Sequence, residues 1–384
     1  MKSLLVIQRW SETESLTPSS GRPYLDLFLN CLGFAQMDIL ELEAGEPFDL
    51  GKIDEDVRLI LVQGQKQCCN AGSGRLRRSL LSSLSLSLGL DAENSDRLRV
   101  VGARPLHDEK TNSDGFVIKR HGRIVAYFEN SIWDLNKPLH KGIHTLLSEE
   151  RSSRRIRFQD CWLVEGAGHS LDMSQFLDEE EGTQCHLKYL PNGDVAVLIP
   201  TFMGDEFRKR LQERLANHLY SLIPQPLEEG LGDLLREHKA TITVAESCTA
   251  GLISARLAST PGSSDYLLSG FVTYSAQAKT KSLGISEVQI KQFGEVSKEM
   301  AIAMARGALR TSGSTLAVAV TGIAGPGGGT VDKPVGTVFL AVVSSDGKVI
   351  EHQGLYKGNR DRIRYQASQT ALHLVRRILV INES

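Results

Sequence analysis

Short hydrophobic runs alternate with segments of helical period over residues 1–155. Runs of this length are typical of buried strands, and segment 24–32 between two of them has the spacing of an amphipathic helix. Strands that alternate with helices predict a parallel α/β sheet. The runs predicted as strands are residues 4–7, 37–42, 57–62 and 98–101.

Two other segments of this region have patterns of their own. Segments 115–120 and 123–128 are joined by His121-Gly122 and predict a β-hairpin. A Ser/Leu-rich segment at 75–90 fits both an amphipathic helix and an alternating strand, and we favour the helix.

The pattern changes over residues 156–223. A β-α-β-β-α order in fewer than seventy residues predicts a small α+β module. RNA-binding KH modules share this order, but they clamp the RNA backbone with a Gly-x-x-Gly loop that the segment lacks. We therefore expect a KH-like spacer and no nucleic-acid partner. The predicted elements are a strand at 161–164, a helix at 170–177, a hairpin across 191–194 and a long helix at 205–220.

Pro224-Gln225-Pro226 interrupts the helical pattern and predicts a linker. Residues 226–384 then alternate strands and helices as a self-sufficient α/β domain, so we predict three domains, 1–155, 156–223 and 226–384. The predicted elements of the last domain are helix 227–236, strand 241–245, helix 249–257, strand 268–275, helices 286–293 and 298–310, strands 316–322, 336–344 and 349–356, and helix 360–379.

The composition of the chain narrows the range of functions that it could have. Hydrophobic residues make up 41% of the chain and charged residues 23%, and no apolar run approaches the roughly 18 residues that span a bilayer. A formal charge of -2 provides no global attraction to nucleic acid or acidic membranes. The 6 cysteines form no CxxC pair, so we expect reduced thiols and no metal site. We expect a cytoplasmic protein that is not membrane-bound.

Four residues that could activate a hydroxyl or a water lie within about forty positions. They are Ser247, Ser264, Tyr274 and Lys279. A lysine that is removed from water can act as a base on a hydroxyl. For Lys279 the alternative is a solvated lysine at a helix start, and for Ser264 it is a local role in a turn.

The string Glu246-Ser247-Cys248-Thr249 stands where a predicted strand meets a predicted helix. Amides of a first helical turn can face a developing oxyanion or a phosphate. Ser247 could equally be an ordinary N-cap, and Cys248 could be a thiolate or a buried apolar residue.

Glycines are densest in residues 320–330, after a strongly apolar strand. Their backbone could cradle a phosphate, although the loop has neither the P-loop nor the dinucleotide pattern, and a flexible hairpin lid is the alternative. Arg360, Arg362 and Arg364 begin the last helix, and any of them could bind a phosphate.

Taken together, the motifs of residues 226–384 resemble the C-terminal domain of the CinA family, known as a nicotinamide mononucleotide deamidase. The resemblance lies in the strings AESCTAG, PGSS, VTYSAQAK, TGIAGPGGG, KPVGTV and GNRD, in this order and spacing. It implies a three-layer α/β domain, hydrolysis of the nicotinamide carboxamide to the acid and ammonia without metal or cofactor, and a homodimer.

The resemblance also implies roles for particular residues. Ser247, Ser264, Tyr274 and Lys279 would be catalytic, with Lys279 as base, and it does not distinguish which serine is closest to the chemistry. A pyridine mononucleotide would be the small-molecule ligand. The residues implied to bind it are Glu246, Thr249, Thr321, Gly322, Gly325, Arg360 and Gln366. A non-catalytic nucleotide-binding or scaffold protein is the alternative.

Two positions depart from the family pattern. Ala250 stands at a frequent glycine, which we expect to be harmless in an ordinary helix, and Ala276 stands at a frequent asparagine. Residues 1–155 resemble the family's molybdopterin-binding-like domain, but the loops after 59–62 and after the hairpin lack its Gly/Pro motifs. We therefore predict that this degenerate domain has lost its pyrophosphatase activity.

Overall fold

The computed structural model describes most of the chain in two compact units. One comprises Met1–Cys161 with Ile199–Phe202, and the other comprises Trp162–Leu198 with Met203–Ser384. The second unit thus contains most of the predicted middle module together with the C-terminal domain, and the division into three domains stays a prediction. The residues described are 2–8, 36–42, 47–64, 80–86, 88–90, 98–108, 113–129, 159–166, 172–190, 192–200, 202–223 and 225–380.

The first unit is built on a six-stranded sheet of order β2-β1-β3-β8-β7-β6. Strands β2, β1, β3 and β8 are parallel, and β7 and β6 continue the sheet in antiparallel pairing. The predicted strands at 4–7, 37–42 and 57–62 and their parallel arrangement are therefore confirmed, as is the hairpin, whereas the predicted strand at 98–101 lies outside this sheet, in a separate antiparallel pair. The strands are β1 Lys2–Gln8, β2 Gln36–Leu42, β3 Val57–Gly64, β4 Leu88–Leu90, β5 Leu98–Val100, β6 Arg104–Asp108, β7 Ser113–Arg120 and β8 Arg123–Glu129.

The Ser/Leu-rich segment contains both of the structures that its pattern allows. Residues 80–83 are helical, and β4 then pairs with β5 in a separate two-stranded sheet. The prediction of a helix through residue 90 is wrong. The predicted helix at 24–32 lies outside the described residues.

A four-stranded sheet of order β10-β11-β9-β12 forms the middle module. Its hairpin was predicted correctly, since β10 and β11 pair in antiparallel register across residues 190–194. The elements are β9 Gln159–Val164, helix α1 Glu179–Gln184, β10 His186–Tyr189, β11 Val195–Pro200, helix α2 Asp205–Leu215 and β12 Leu219–Ser221.

Two predicted helices of this module are wrong in extent. In the described part of 170–177 there is only a 3-10 turn, Met173–Gln175, because the Asp172 side chain caps it and Asp178 then starts α1 with a capping box. The long helix 205–220 ends at Leu215, since the chain then forms the edge strand β12, which pairs with β9. Tertiary strand pairing overrides helical propensity here.

A five-stranded sheet of order β14-β13-β15-β16-β17 forms the C-terminal domain. Strands β14, β13 and β15 are parallel, and β16 and β17 are antiparallel to their neighbours. The strands are β13 Ile242–Glu246, β14 Leu267–Val272, β15 Leu316–Gly322, β16 Thr337–Ser344 and β17 Val349–Leu355. The helices are α3 Leu227–Glu237, α4 Leu252–Ala258, α5 Ala276–Leu283, α6 Glu287–Phe293, α7 Lys298–Ser312 and α8 Arg360–Val380.

Helices cover both faces of this sheet, as the three-layer prediction requires. Val244 and Val318 pack with α3, α4 and α8, whereas their neighbours Ala245 and Ala317 pack with α7 on the opposite face. Successive side chains of a strand point to opposite faces, so each strand contributes to two cores. In the part of the chain that the structure describes, no helix is both long and apolar enough to cross a membrane.

Candidate active site

Three loops meet where the parallel strands of the C-terminal sheet end, and we call this the carboxyl edge. Glu246, at the end of β13, is in register with Val272 of β14 and Val320 of β15. Ser247, Tyr274 and the glycine loop therefore begin at one edge of the sheet. In open α/β sheets, ligands bind outside the carboxyl ends of the strands.

Ser264 lies at the other end of β14. It is an exposed residue of the 3-10 turn Ser263–Asp265, which precedes the strand. Since β14 has 6 residues, its two ends lie about 16 Å apart. Within one chain, the predicted catalytic set therefore separates, with Ser264 at the edge opposite Ser247, Tyr274 and Lys279.

Lys279 is buried in the first turn of α5, with 1% of its side chain exposed. Its Nζ lies 3.0 Å from Oε2 of Glu295, in the loop between α6 and α7. The alternative of a solvated lysine is wrong. The lysine is removed from bulk water, as a base would need to be, but it is paired with a carboxylate that the sequence did not indicate.

Thr321, at the end of β15, is wholly buried, and its Oγ1 donates to the carbonyl of Glu295 at 2.6 Å. Its hydroxyl can therefore only accept a hydrogen bond from a ligand. Close packing explains why residue 322 is a glycine, because a Cβ there would lie 2.7 Å from Cγ2 of Val338. Of the predicted glycines, Gly325 is the one whose backbone contacts another predicted site residue.

That contact comes from Arg360, the first residue of α8. One guanidinium nitrogen donates to the carbonyl of Gly325 at 2.7 Å, and the other donates to the phenolic oxygen of Tyr274 at 2.6 Å. Arg360 and Tyr274 are both exposed. The side chains are thus arranged at the mouth of the site, where an anionic group could reach the arginine.

Glu246 is buried at the end of β13, and its carboxylate caps α4. Oε2 accepts the amide of Ile253 at 3.0 Å, and Oε1 accepts the amide and the hydroxyl of Ser254 at 2.9 and 2.8 Å. The N-cap position itself is Gly251, so the alternative role of Ser247 as an ordinary N-cap is wrong. The amides of this helical turn are occupied and cannot face an oxyanion.

The turn before α4 has amides of its own. In the described chain, the N–H groups of Cys248 and Thr249 donate to no backbone carbonyl, whereas those of Ser247 and Ala250 do. Ala250 and Gly251 both have positive φ, +52° and +91°. Consecutive amides in a turn that enters the left-handed region form an anion-binding concavity. Ala250 is therefore not in an ordinary helix, which corrects that expectation.

Cys248 is not a thiolate. Its side chain is 4% exposed, and burial raises the pKa of its thiol to about 12. At neutral pH the group stays protonated, so the buried apolar interpretation holds.

Several buried polar atoms along this edge have no partner among the described residues. They include Oγ1 of Thr249, Oε1 of Gln366 and Nε of Arg364. Arg364 donates through Nη2 to the carbonyl of Thr249 at 2.8 Å, which joins α8 to the turn after β13. Buried polar atoms are nearly always hydrogen-bonded, so this set suits a ligand that supplies both donors and acceptors.

Glu295 is the residue of this edge that sequence reasoning missed. It follows Gly294 in a loop without a chemical motif, and it reaches Lys279 only because α5 and α7 pack together. The sequence contains no local signal that could have indicated this pair.

Fold and site together define an α/β protein whose C-terminal domain has a group of polar residues with a buried lysine at the carboxyl edge of a mixed sheet. The family model described as the CinA C-terminal domain matches residues 224–379. The chain belongs to the CinA family, since relatives with 30% identity or more align over more than two thirds of their length.

Two such relatives are named competence-damage inducible proteins. The one from Moorella thermoacetica is 32% identical over 299 residues, which is 72% of this chain and 69% of the relative. The one from Caldicellulosiruptor saccharolyticus is 40% identical over 290 residues, which is 73% of this chain and 70% of the relative. Among solved structures, the competence/damage inducible protein CihA from Agrobacterium tumefaciens is 40% identical with a TM-score of 0.38, and the match covers 41% of this chain and 97% of that one.

Proposed function

We propose that the C-terminal domain is an amidohydrolase that converts nicotinamide mononucleotide into nicotinic acid mononucleotide and ammonia. The observation that carries the proposal is the burial of Lys279 at the carboxyl edge, with 1% of its side chain exposed, in the domain that contains Ser247. An amine removed from water is suited to taking a proton from a hydroxyl.

Ser247 is the serine of this proposal, because Ser264 lies at the opposite edge of the sheet. Its hydroxyl oxygen attacks the carboxamide carbon, and its proton passes to the unprotonated amine of Lys279. The proton then moves from Lys279 to the leaving nitrogen, so that the C–N bond breaks and ammonia departs. Attack by water on the resulting ester, with the same proton transfers, releases the acid and restores Ser247.

Negative charge grows on the carboxamide oxygen during each attack. The amides of Cys248 and Thr249, which no backbone carbonyl accepts from, are the donors that we assign to this oxygen, in place of the helical amides that Glu246 occupies. Donors that are held in place before the reaction stabilise such charge without reorganisation. Removal of one donor of this kind typically costs about a hundredfold to a thousandfold in rate.

The rest of the nucleotide needs a cationic group that binds its phosphate and polar groups that bind its hydroxyls. Arg360 is exposed beside the glycine loop and suits the phosphate, since a guanidinium binds phosphate oxygens in pairs. The unpartnered atoms of Thr249 and Gln366 suit the hydroxyls and the amide of the ligand.

Ammonia release from nicotinamide mononucleotide by the purified chain tests the proposal directly. We expect release with a matching amount of nicotinic acid mononucleotide, identified by chromatography and mass. Lys279→Ala should bind the nucleotide but release no ammonia, because the base acts mainly in the transition state. A folded wild-type sample that releases none would contradict the proposal.

One observation favours a nucleotide-binding protein without turnover as the second candidate. The carboxylate of Glu295 lies 3.0 Å from Nζ of Lys279, so the amine that the reaction would use as a base is already engaged in an ion pair. Calorimetric binding of the nucleotide without ammonia release across the pH range would support this candidate.

A further inference from the structure

Arg364 connects α8 to the turn that follows β13. Its Nη2 donates to the carbonyl of Thr249 at 2.8 Å, across 115 positions of the chain. Thr249 is wholly buried in that turn, whereas Arg364 lies one helical turn into α8. A hydrogen bond with an ionised donor is roughly twice as strong as one between neutral groups. The guanidinium therefore fastens the turn to the last helix of the domain.

This hydrogen bond holds one particular peptide unit. The carbonyl of Thr249 and the amide of Ala250 belong to the same planar unit. That amide donates to the carbonyl of Ser247 at 3.1 Å, and the Ser247 carbonyl shares its own unit with the amide of Cys248. The peptide units on both sides of the Thr249 amide are thus held, one of them from α8 and both by the bond across the turn.

The turn needs this support because its backbone is strained. Ala250 has φ +52°, in the left-handed region that disfavours a residue with a Cβ. Such conformations persist where the surrounding contacts hold them. Among the described residues, the Thr249 carbonyl without Arg364 would keep the amide of Leu252, at 3.3 Å, as its hydrogen-bond donor. Loss of the guanidinium should therefore let the turn relax.

Arg364 and Arg360 have different tasks although they project from the same side of one helix. They are four positions apart, which is about one helical turn. Arg360 bonds to Gly325 and Tyr274 at the mouth of the site, whereas Arg364 bonds to the turn after β13. The start of α8 thus places one arginine where a ligand could reach it and another where it supports the backbone.

We propose that Arg364 is a positioning residue, which holds turn 247–250 in the conformation that directs the amides of Cys248 and Thr249 at the carboxamide oxygen. This inference rests on the proposed amidase function, which assigns these amides to the developing negative charge. Arg364 acts through the turn. Its effect should fall on the transition state, because the charge on the oxygen is largest there.

Two variants of Arg364 test this role in steady-state kinetics. Arg364→Met removes the donor but keeps a long unbranched side chain, and Arg364→Lys keeps a charged donor. Arg364→Met should lower kcat about tenfold to a hundredfold and leave KM within about threefold, and Arg364→Lys should recover part of the loss. Arg362→Met, at an exposed position of the same helix, should leave both constants near the wild-type values. A raised KM with unchanged kcat in Arg364→Met would overturn the proposal.

A substrate with sulfur in place of the carboxamide oxygen separates positioning from a loss of folded protein. Sulfur is a weak hydrogen-bond acceptor, so the wild type should consume the thioamide much more slowly than the amide. Arg364→Met should reduce this amide-to-thioamide rate ratio about tenfold, because displaced donors no longer favour oxygen. Both rates come from one sample by chromatography, so the folded fraction cancels. An unchanged ratio would count against any role of Arg364 in placing the donors.

Amide hydrogen exchange, followed by mass spectrometry, gives a readout that needs no turnover. The peptide that contains residues 247–250 should exchange at least about tenfold faster in Arg364→Met than in the wild type, because the turn opens more often. A peptide from α7 is the reference and should exchange equally in both proteins. Equal exchange in the turn would overturn the inference. Faster exchange in the variant, with a wild type that releases no ammonia, would support the positioning of the turn and refute the proposed reaction alone.

Discussion

The phenolic oxygen of Tyr274 accepts a hydrogen bond from the guanidinium of Arg360 across 2.6 Å, although 86 positions separate the two residues. The same guanidinium also bonds to the carbonyl of Gly325. Arg360 therefore joins the loop after β14 to the glycine loop after β15, at the start of α8. Its charge is placed by two loops that belong to different parts of the sequence.

Arg360→Ala should lower kcat/KM for nicotinamide mononucleotide about tenfold to a hundredfold, mainly through a higher KM. A hydrogen bond to a charged group contributes about 1.5–3 kcal/mol, and about 1.4 kcal/mol is a factor of ten. Arg362→Ala is the matched control, because Arg362 has the same charge and is exposed on the same helical turn. Steady-state ammonia release measures both variants. Equal losses in both would show that general charge, rather than the position of Arg360, matters.

Ser247→Ala and Ser264→Ala should have very different effects on turnover. Ser247 is buried at the carboxyl edge, so its replacement should reduce kcat at least about a thousandfold, as loss of a nucleophile does. Ser264 is exposed at the opposite edge, and its replacement should leave kcat within about threefold of the wild type. An equal loss in Ser264→Ala would indicate that its hydroxyl reaches an active site of a second copy of the chain.

The sequence predicted the sheet of the C-terminal domain more accurately than the chemistry at its edge. Strand 316–322 has the predicted bounds, because a continuous apolar run of this length is a strand buried on both faces. The start of α4 was placed three residues early, since a Ser/Thr cluster is the usual cap. The true cap uses Glu246 from the preceding strand, and contacts across the turn leave no local pattern. The pairing of Glu295 with Lys279 depends on helix packing in the same way.

Glu246→Gln should destabilise the protein by about 2–3 kcal/mol. Its carboxylate accepts three hydrogen bonds at the start of α4, and bonds to a charged group contribute about 1.5–3 kcal/mol, whereas an amide presents only one acceptor oxygen. Urea unfolding, monitored by circular dichroism, measures the difference in the free energy of unfolding between the variant and the wild type. Glu287→Gln, at an exposed first-turn position of α6, is the control and should change stability by less than about 0.5 kcal/mol. A similar small change in Glu246→Gln would contradict the capping role.

Ala250→Gly should stabilise the protein by about 0.5–1 kcal/mol. The left-handed conformation of Ala250, at φ +52°, costs roughly 1–2 kcal/mol for a residue with a Cβ, and glycine removes this cost. Glycine also increases the entropy of the unfolded chain, which offsets about 0.4–1 kcal/mol of the stability gained by removing this strain. The side chain is exposed, so no packing is lost. Ala250→Val should shift the urea midpoint in the opposite direction, and a midpoint that falls in Ala250→Gly would refute the argument.

A buried acidic residue of the middle module contacts α8. Asp194 is wholly buried, and its carboxylate lies 3.1 and 3.2 Å from Nε2 of His373 and accepts Nε2 of Gln369 at 2.6 Å. Burial alone would raise the pKa of the Asp194 carboxyl, but attraction to His373 and hydrogen bonds from His373 and the Gly166 amide outweigh it, so the pKa is lowered. The ionised carboxylate is thus the form that the fold stabilises.

Acid should therefore remove the stability that Asp194 contributes. The folded pKa lies below the ordinary value of about 3.9, so the contribution is complete above that pH and is lost as the pH falls through the lower, folded value. Asp194→Asn should unfold at lower urea than the wild type at pH 7, by about 3 kcal/mol, because removal of one partner leaves the buried network unsatisfied.

The same variant should also lose less stability than the wild type between pH 4 and pH 3. Urea midpoints from pH 7 to pH 3 provide both comparisons. Asp332→Asn, which changes an exposed residue, should follow the wild-type curve. If Asp194→Asn loses as much stability below pH 4 as the wild type does, then ionisation of Asp194 is not what joins the middle module to α8, and the neutral hydrogen bonds of Gln369 and His373 must suffice.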